Sequence, residues 1–520
     1  MRNKYLILAN VCFGSMLSTY VTSCINIALP NIMQSLNFNL DSIVWVSLGY
    51  VLPYGSILPL TGILGDQFGA RKMYILGLMV FTTATIFCGL SPNSTMLIGF
   101  RILQGIGAAM LLPNAMSIVA TTFTAGDRSK ALGLWSAASA LGTAAGPTIG
   151  GYIIDFFSWR AIFFSIIPLA LTNIIISYFV LPSYGKGQKV NIDYLGTLLL
   201  LTGVSCLLLV LNQGQKEGWT SLYIVTLFFI ATATLTLFPL VEMYVKHPIV
   251  DMSLFRNRNF VIANIVGFIS ILVMYSGVFL LPFFLKTILG YDSIKAGLTM
   301  LPMSIAMLLS SPIGGWMVSR FGTRLPATCG ILMIATALLL FRTIDPAYSP
   351  LHFHARLLLF GTGLGFTMSP LTNCVVESVS REQIGVASGV LNLFRIIGGG
   401  VGVVVASTLL TSRTIYHSTI LTEYLQPNYK DSGDLVPLLH ILWTKHGSDM
   451  STLSTALQGV FTGHGFSTTQ YSQFKLILAN VIHRQSAILS FQDIFLLMAA
   501  LCFSSVFLII FIRSGKQPTV

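Results

Sequence analysis

The stretch TGILGDQFGARKM, residues 61–73, sets Asp66, Arg71 and Lys72 into a chain of which only 9% of residues are charged. A near copy lies further on. Aligning GILGDQFGARK (62–72) with GWMVSRFGTRL (315–325) pairs Gly62 with Gly315, Phe68 with Phe321, Gly69 with Gly322 and Arg71 with Arg324, 253 residues apart. A weaker echo, GIGAAM (105–110) against GTGLGF (361–366), has a spacing of 256 residues. Two echoes at nearly one spacing imply a chain built of duplicated halves.

Composition fixes the solvent in which those halves fold. With 54% hydrophobic residues among 520 and a mean hydropathy of +0.79, the chain has too few polar groups to coat a soluble globule. It reads as an all-α polytopic membrane protein. A helix needs roughly 20 apolar residues to cross about 30 Å of hydrocarbon. Fourteen such spans are predicted, at 6–29, 43–64, 73–91, 95–119, 131–154, 160–181, 193–212, 221–244, 260–286, 296–318, 326–343, 355–377, 387–411 and 491–513. On this map sixteen Lys and Arg residues fall in the loops and termini of one side and six on the other. Basic residues accumulate on the inner side, so both termini are expected in the cytoplasm and the chain in the cell inner membrane.

The net charge of +12 does not indicate nucleic acid, because the basic residues sit in short loops between apolar runs and never line one soluble face. MRNK leads directly into an apolar run with no small-residue cleavage site, as expected of an uncleaved first span. All seven cysteines fall inside spans, without metal-ligand or redox spacing. Residues 412–490 are too polar to span and read as an outer cap. Within it Asp449–Phe461 suits a short amphipathic helix with Met450, Leu453, Leu457, Val460 and Phe461 on one face.

The opening turn has a chemistry of its own. Gly62 and Gly69 permit close helix approach and a tight reversal, while Asp66 at a helix end accepts hydrogen bonds from a neighbouring helix N-terminus or from arginine. Such a conformational latch, with Arg71 beside it, would hold one access state of two halves that rock about a central site.

GILGDQFGARK resembles the loop between the second and third helices of the major facilitator superfamily. Fourteen spans with an extra pair at 193–244 resemble its drug:proton antiporter branch, and HPIVDMSLFRNRNF (247–260), LNLFRIIGGGVG (391–402) and the long outer loop resemble EmrB-type multidrug exporters. The resemblance implies a major-facilitator fold: a six-helix bundle over 1–185, two added helices over 186–246, a second bundle over 247–411 and 491–513, and the cap over 412–490. It also implies export of small amphiphilic compounds, the proton gradient as energy source with no cofactor or metal, and a periplasmic adaptor and outer-membrane duct as partners.

RILQGIGAAM (101–110) resembles the fourth-helix signature, in which the arginine, here Arg101, belongs to the coupling machinery. LGTAAGPTIGG (141–151) resembles the fifth-helix antiporter signature, with Gly142, Gly146 and Gly150 on one face and Pro147 allowing a bend. The first span departs from the family. VTSCINIALP (21–30) keeps Asn26, Ala28 and Pro30 but sets Val21 where relatives carry a carboxylate. No acidic residue of the span map lies at a bilayer centre, so coupling would fall to Asp66, Glu377, Asp155 or Asp493, with Arg101 as electrostatic partner. Arg101 and Arg395 are the buried charges, and a cavity with arginines and no central acid suits neutral, zwitterionic or anionic amphiphiles. Asn26, Asn114, Tyr275, Phe279, Asn373 and Asn392 are candidates to line it. A dedicated metabolite, siderophore or lipid carrier on the same fold explains the missing acid equally well. No nucleophile–base pair or phosphate loop points to an enzyme.

Overall fold

The computed structural model describes residues 4–38, 42–182, 193–245, 248, 250–291, 293–343, 350–423 and 468–512, apart from a few side chains within the helices. Among them stand fourteen long helices: α1 Lys4–Ser35, α2 Val44–Phe68, α3 Ala70–Leu90, α4 Ser94–Thr122, α5 Ala125–Phe156, α6 Trp159–Val180, α7 Tyr194–Glu217, α8 Leu222–Tyr244, α9 Arg258–Thr287, α10 Ser293–Phe321, α11 Arg324–Arg342, α12 Pro350–Glu377, α13 Ile384–Glu423 and α14 Thr468–Ile510. Each predicted span falls on one of them. Twelve are long and apolar enough to cross a membrane among the described residues, and α5 and α12 are the two not counted.

Local chemistry sets many of the helix starts. The side chains of Asn93, Ser158, Asp193, Ser221 and Asn257 accept hydrogen bonds from free N–H groups of the first turns of α4, α6, α7, α8 and α9. Between α2 and α3 the chain reverses at Gly69, whose φ of 97° is open to glycine, and between α10 and α11 it reverses at Gly322, with φ 74°. Both turns close with the same bond: Gly69 N–H donates to Gly65 O and Gly322 N–H to Val318 O, each at 2.9 Å. The duplicated motif is therefore duplicated backbone.

α1–α6 pack as one body and α9–α14 as a second, related as the two copies of the repeat. The bodies meet where α2 lies on α13 and α5 on α10, with further contact of α4 with α13 and α5 with α12. α7 lies along the α2–α13 seam and bonds to both sides of it, Ser205 to Ser56 at 2.8 Å and Gln215 to Ser407 at 2.7 Å. α8 packs on α7 and turns large apolar side chains such as Phe229 and Leu222 outward.

Two expectations change around the segment from 412 to 490. α13 runs through 40 residues, about 60 Å at about 1.5 Å per residue, twice the roughly 30 Å of a hydrocarbon core. α14 runs through 43 residues. The segment read as a cap from 412 to 490 is thus helical at both ends, because polar contacts carry the two helices on side by side past the apolar run. Asp493 meets His417 at 3.0 Å and Arg413 at 3.7 Å, and Thr414 bonds to Ser490. The amphipathic segment expected at Asp449–Phe461 lies outside the described residues.

Candidate functional site

Asp66 sits in the last turn of α2, and its two carboxylate oxygens accept from Gly385 N–H and Val386 N–H, each at 3.0 Å. These are first-turn amides of α13, in the other half, so the carboxylate caps a helix N-terminus across the interface and meets the positive end of its dipole. Around this pair the halves touch backbone to backbone. A Cβ on Gly62 would strike the carbonyl of Gly385, and one on Gly389 would lie 2.8 Å from the carbonyl of Leu58. The repeat produces the same contacts between α10 and α5: a Cβ on Gly315 would strike the carbonyl of Ser129, and one on Gly133 would lie 2.7 Å from that of Ser311. Asp66 itself has no acidic counterpart, since Ser319 stands at the matching place.

These four contacts join the two bodies at the ends of α2, α5, α10 and α13 that adjoin the charged turns. The opposite ends of α5 and α10 carry exposed Tyr152, Phe156 and Leu298, and Gly151 and Gly297 have nothing within 4 Å of a built Cβ. The halves are closed on the charged-loop side.

Arg71, expected in the latch, belongs elsewhere. Its guanidinium donates to Tyr178 O and lies over the Tyr178 ring, tying α3 to α6 within one half. Position in the motif places it near Asp66 in sequence, but α3 turns away from the interface.

Arg101 is 1% exposed and held through two of its nitrogens. Its Nε donates to Val46 O at 2.9 Å, one Nη donates to Gln104 Oε1 at 2.6 Å, and its plane lies 4.6 Å from the Tyr50 ring centroid. Gln104 passes the chain on to Thr85 Oγ1 at 2.7 Å, so the cation knits α2, α3 and α4 together. Tyr50 in turn stacks on Tyr54 at 5.7 Å.

Arg395 is the contrasting case. It is partly buried, donates one Nη to Thr372 Oγ1 on α12 at 2.7 Å, and leaves its Nε without a partner among the described residues. Tyr54 of the other half shares its electrostatic field with Arg395 and separately with Tyr275 of α9, and the Tyr275 ring lies 3.2 Å from where a Cβ on Gly399 would stand, one turn beyond Arg395. Tyr275 keeps 39% exposure in the middle of α9. Phe279, one turn along, is partly buried and stacks on Phe283. Tyr50, Tyr54 and Gln104 were not among the candidates read from sequence; the Tyr-x-x-x-Tyr spacing in YVLPY (50–54) is the signal that would have found the first two.

The asparagine candidates on α4, α12 and α13 are buried. Asn114 donates to Thr61 O and Met110 O and packs between α2 and α4 under Gly65. Asn392 is buried and donates to Ser388 O of its own helix, and Asn373 is fully buried with both amide atoms unpartnered. Gly142, Gly146 and Gly150 face α1, where Cβ atoms would meet Thr19, Ser23 and Cys24, and Thr19 and Ser23 hydroxyls donate to α5 carbonyls of Ser139 and Thr143. The smooth face is thus an intra-half seam. The side chains of Asn26, Pro147 and Asp155 lie outside the described set. Of the acids, Glu377 is exposed at the end of α12, near Arg128 of α5, and Asp493 is held by His417 and Arg413.

A helical body in two repeat-related halves, closed against each other on one side, is the architecture of a membrane transporter. The chain matches the Major Facilitator Superfamily over residues 11–403 and belongs to that family. It is 33% identical over 430 residues, 82% of this chain and 79% of the relative, to the multidrug transporter protein MdtP of Bacillus subtilis (strain 168). It is 32% identical over 413 residues to the methylenomycin A resistance protein of the same organism, covering 78% of this chain and 87% of the relative. It is 30% identical over 419 residues to the riboflavin transporter RibZ of Clostridioides difficile (strain 630), covering 80% and 90%. In three dimensions it is similar to the human organic anion transporter MFSD10 (TETRAN), with a TM-score of 0.57 and 16% identity over 78% of this chain and 94% of that one, a likeness of fold.

Proposed function

We propose that this transporter exports small amphiphilic compounds by alternating access, its two six-helix bodies rocking about the space between Tyr54, Tyr275 and Arg395, with the proton gradient as energy source. The observation that carries the reading is the Asp66 carboxylate bonded across the interface to Gly385 and Val386, within glycine contacts that the repeat supplies twice on one side. A contact of this kind stabilises one access state without blocking the other, because it is made of two hydrogen bonds that water replaces when the halves part. The bodies are 1–185 and 247–411 with 491–513, and the helices within 186–246 ride on the α2–α13 seam, giving fourteen crossings. The excess of basic residues near the closed side supports a cytoplasmic latch and cytoplasmic termini. Resistance relatives support export of toxic compounds. The expected adaptor and duct have no support from these relatives, whose organisms are Gram-positive, and they are not part of the proposal.

A susceptibility panel with the gene deleted and overexpressed tests the reading: overexpression raises tolerance to several amphiphiles, and an uncoupler abolishes the gain. Unchanged tolerance throughout favours the second reading, a dedicated metabolite carrier, which the riboflavin transporter relative supports.

A further inference from the structure

The two intramembrane arginines differ in how their charge is answered. Arg101 gives one donor to a carbonyl and one to an amide oxygen and its plane to Tyr50, and at 1% exposure it is closed off. Arg395 has five N–H donors, of which the structure engages one Nη with a neutral hydroxyl and leaves Nε unpartnered. Among the described residues no carboxylate lies within ion-pair distance of it; the ion pairs there involve Asp127, in the first turn of α5, and Asp493, part-way along α14. Asp66 is committed to the α13 amides and Glu377 lies at the end of α12. A guanidinium set part-way along a spanning helix, only partly buried and lacking a counter-charge among the described residues, is costly unless something brings the charge to it.

Its surroundings say what that something looks like. Tyr54 of the first half shares the field of both Arg395 and Tyr275 of the second, and Tyr275 stands against Gly399, one turn beyond Arg395, where the missing side chain leaves its ring room beside α13. Aromatic planes accept an apolar or aromatic body, and the guanidinium fork fits a planar or tetrahedral oxyanion through paired N–H donors. A cation meets only an uncompensated positive field there.

We propose that the cargo of the central space is an anionic amphiphile, carrying a carboxylate, sulfonate or phosphate on an apolar body, and that Arg395 receives its charge while Tyr54 and Tyr275 hold the body. This rests on the transporter reading above and names the substrate class of the same site.

The test uses the purified full chain in detergent and in liposomes, with three fluorescent probes that share one aromatic body and differ in head group: sulfonate, uncharged amide and quaternary ammonium. Wild type should bind the sulfonate at least about tenfold more tightly than the ammonium. Arg395→Gln should weaken the sulfonate by about tenfold or more, leave the amide within about twofold, and Arg395→Lys should recover part of the loss. Ammonium binding as tight as sulfonate in the wild type, or equal weakening of all three probes in Arg395→Gln, overturns the proposal. If Arg395→Gln is not recovered as folded protein, the head-group ranking of the wild type and of Tyr54→Phe decides: the ranking is kept in both if Arg395 supplies the charge, and its absence overturns the assignment. Head-group selectivity without transport of any probe in energised liposomes refutes the exporter reading and leaves the anion site standing.

Discussion

Replacing Asp66 by Asn keeps the size and shape of the side chain and removes its charge. Two hydrogen bonds to a carboxylate contribute about 1.5–3 kcal/mol each, and a neutral amide oxygen keeps one bond worth roughly 1 kcal/mol. Its NH2 group now faces the N–H of Gly385 or Val386, a donor against a donor, and the attraction to the α13 dipole is lost as well. Because the site opens to water when the halves part, the net penalty on the closed arrangement is about 2–3 kcal/mol, or a rise of roughly 30- to 150-fold in the odds of the state open on the charged-loop side. Spin labels on exposed Lys72 and Arg381, one in each half beside the latch, read that population by electron–electron distance measurement in a cysteine-free background. Asp66→Asn should move weight from the short to the long distance, and transport should slow. Identical distance distributions for wild type and variant refute the reasoning, because they mean that the two bonds do not hold the halves.

Gly62→Ala puts a methyl group onto the Gly385 carbonyl, and Gly315→Ala puts one onto that of Ser129, so each should disfavour closure on this side and cut transport while the protein still purifies as a single species. Arg101→Lys cannot reproduce the fork that spans Val46 O and Gln104 and loses the planar contact with Tyr50; a stability loss of about 2–4 kcal/mol should show as a lower thermal midpoint in detergent. Gly69→Ala and Gly322→Ala each force a Cβ into the left-handed region at φ 97° and 74°, costing about 1–2 kcal/mol, and the two melting curves should shift alike because the turns are copies.

The duplication was legible because glycines at 62, 69, 315 and 322 mark backbone needs that no other residue meets, and the structure shows those needs as paired turns and paired close approaches. The helices beneath the predicted spans were legible from hydropathy, and twelve of them are long and apolar enough to cross a membrane among the described residues. Their ends were not: α13 and α14 continue past 411 and before 491 through Arg413, His417 and Asp493, and a hydropathy window cannot see that polar residues on two helices answer one another. The cavity was legible only in part. Polarity within a span singled out Asn114 and Asn392, whose amides satisfy backbone carbonyls instead, while Tyr54 passed unnoticed because an aromatic in an apolar run carries no distinguishing signal until the opposite half supplies Tyr275 and Arg395. Arg71 failed for a related reason, since nearness in a motif does not say which way the next helix turns.

Alternating access is tested most directly by following two distances at once in liposomes, Lys72 to Arg381 on the charged-loop side and Tyr152 to Leu298 on the opposite side, while transported cargo is added. Rocking of two rigid bodies predicts that the first distance lengthens as the second shortens, in the same molecules. Distances that stay fixed during turnover, or that lengthen together, contradict it.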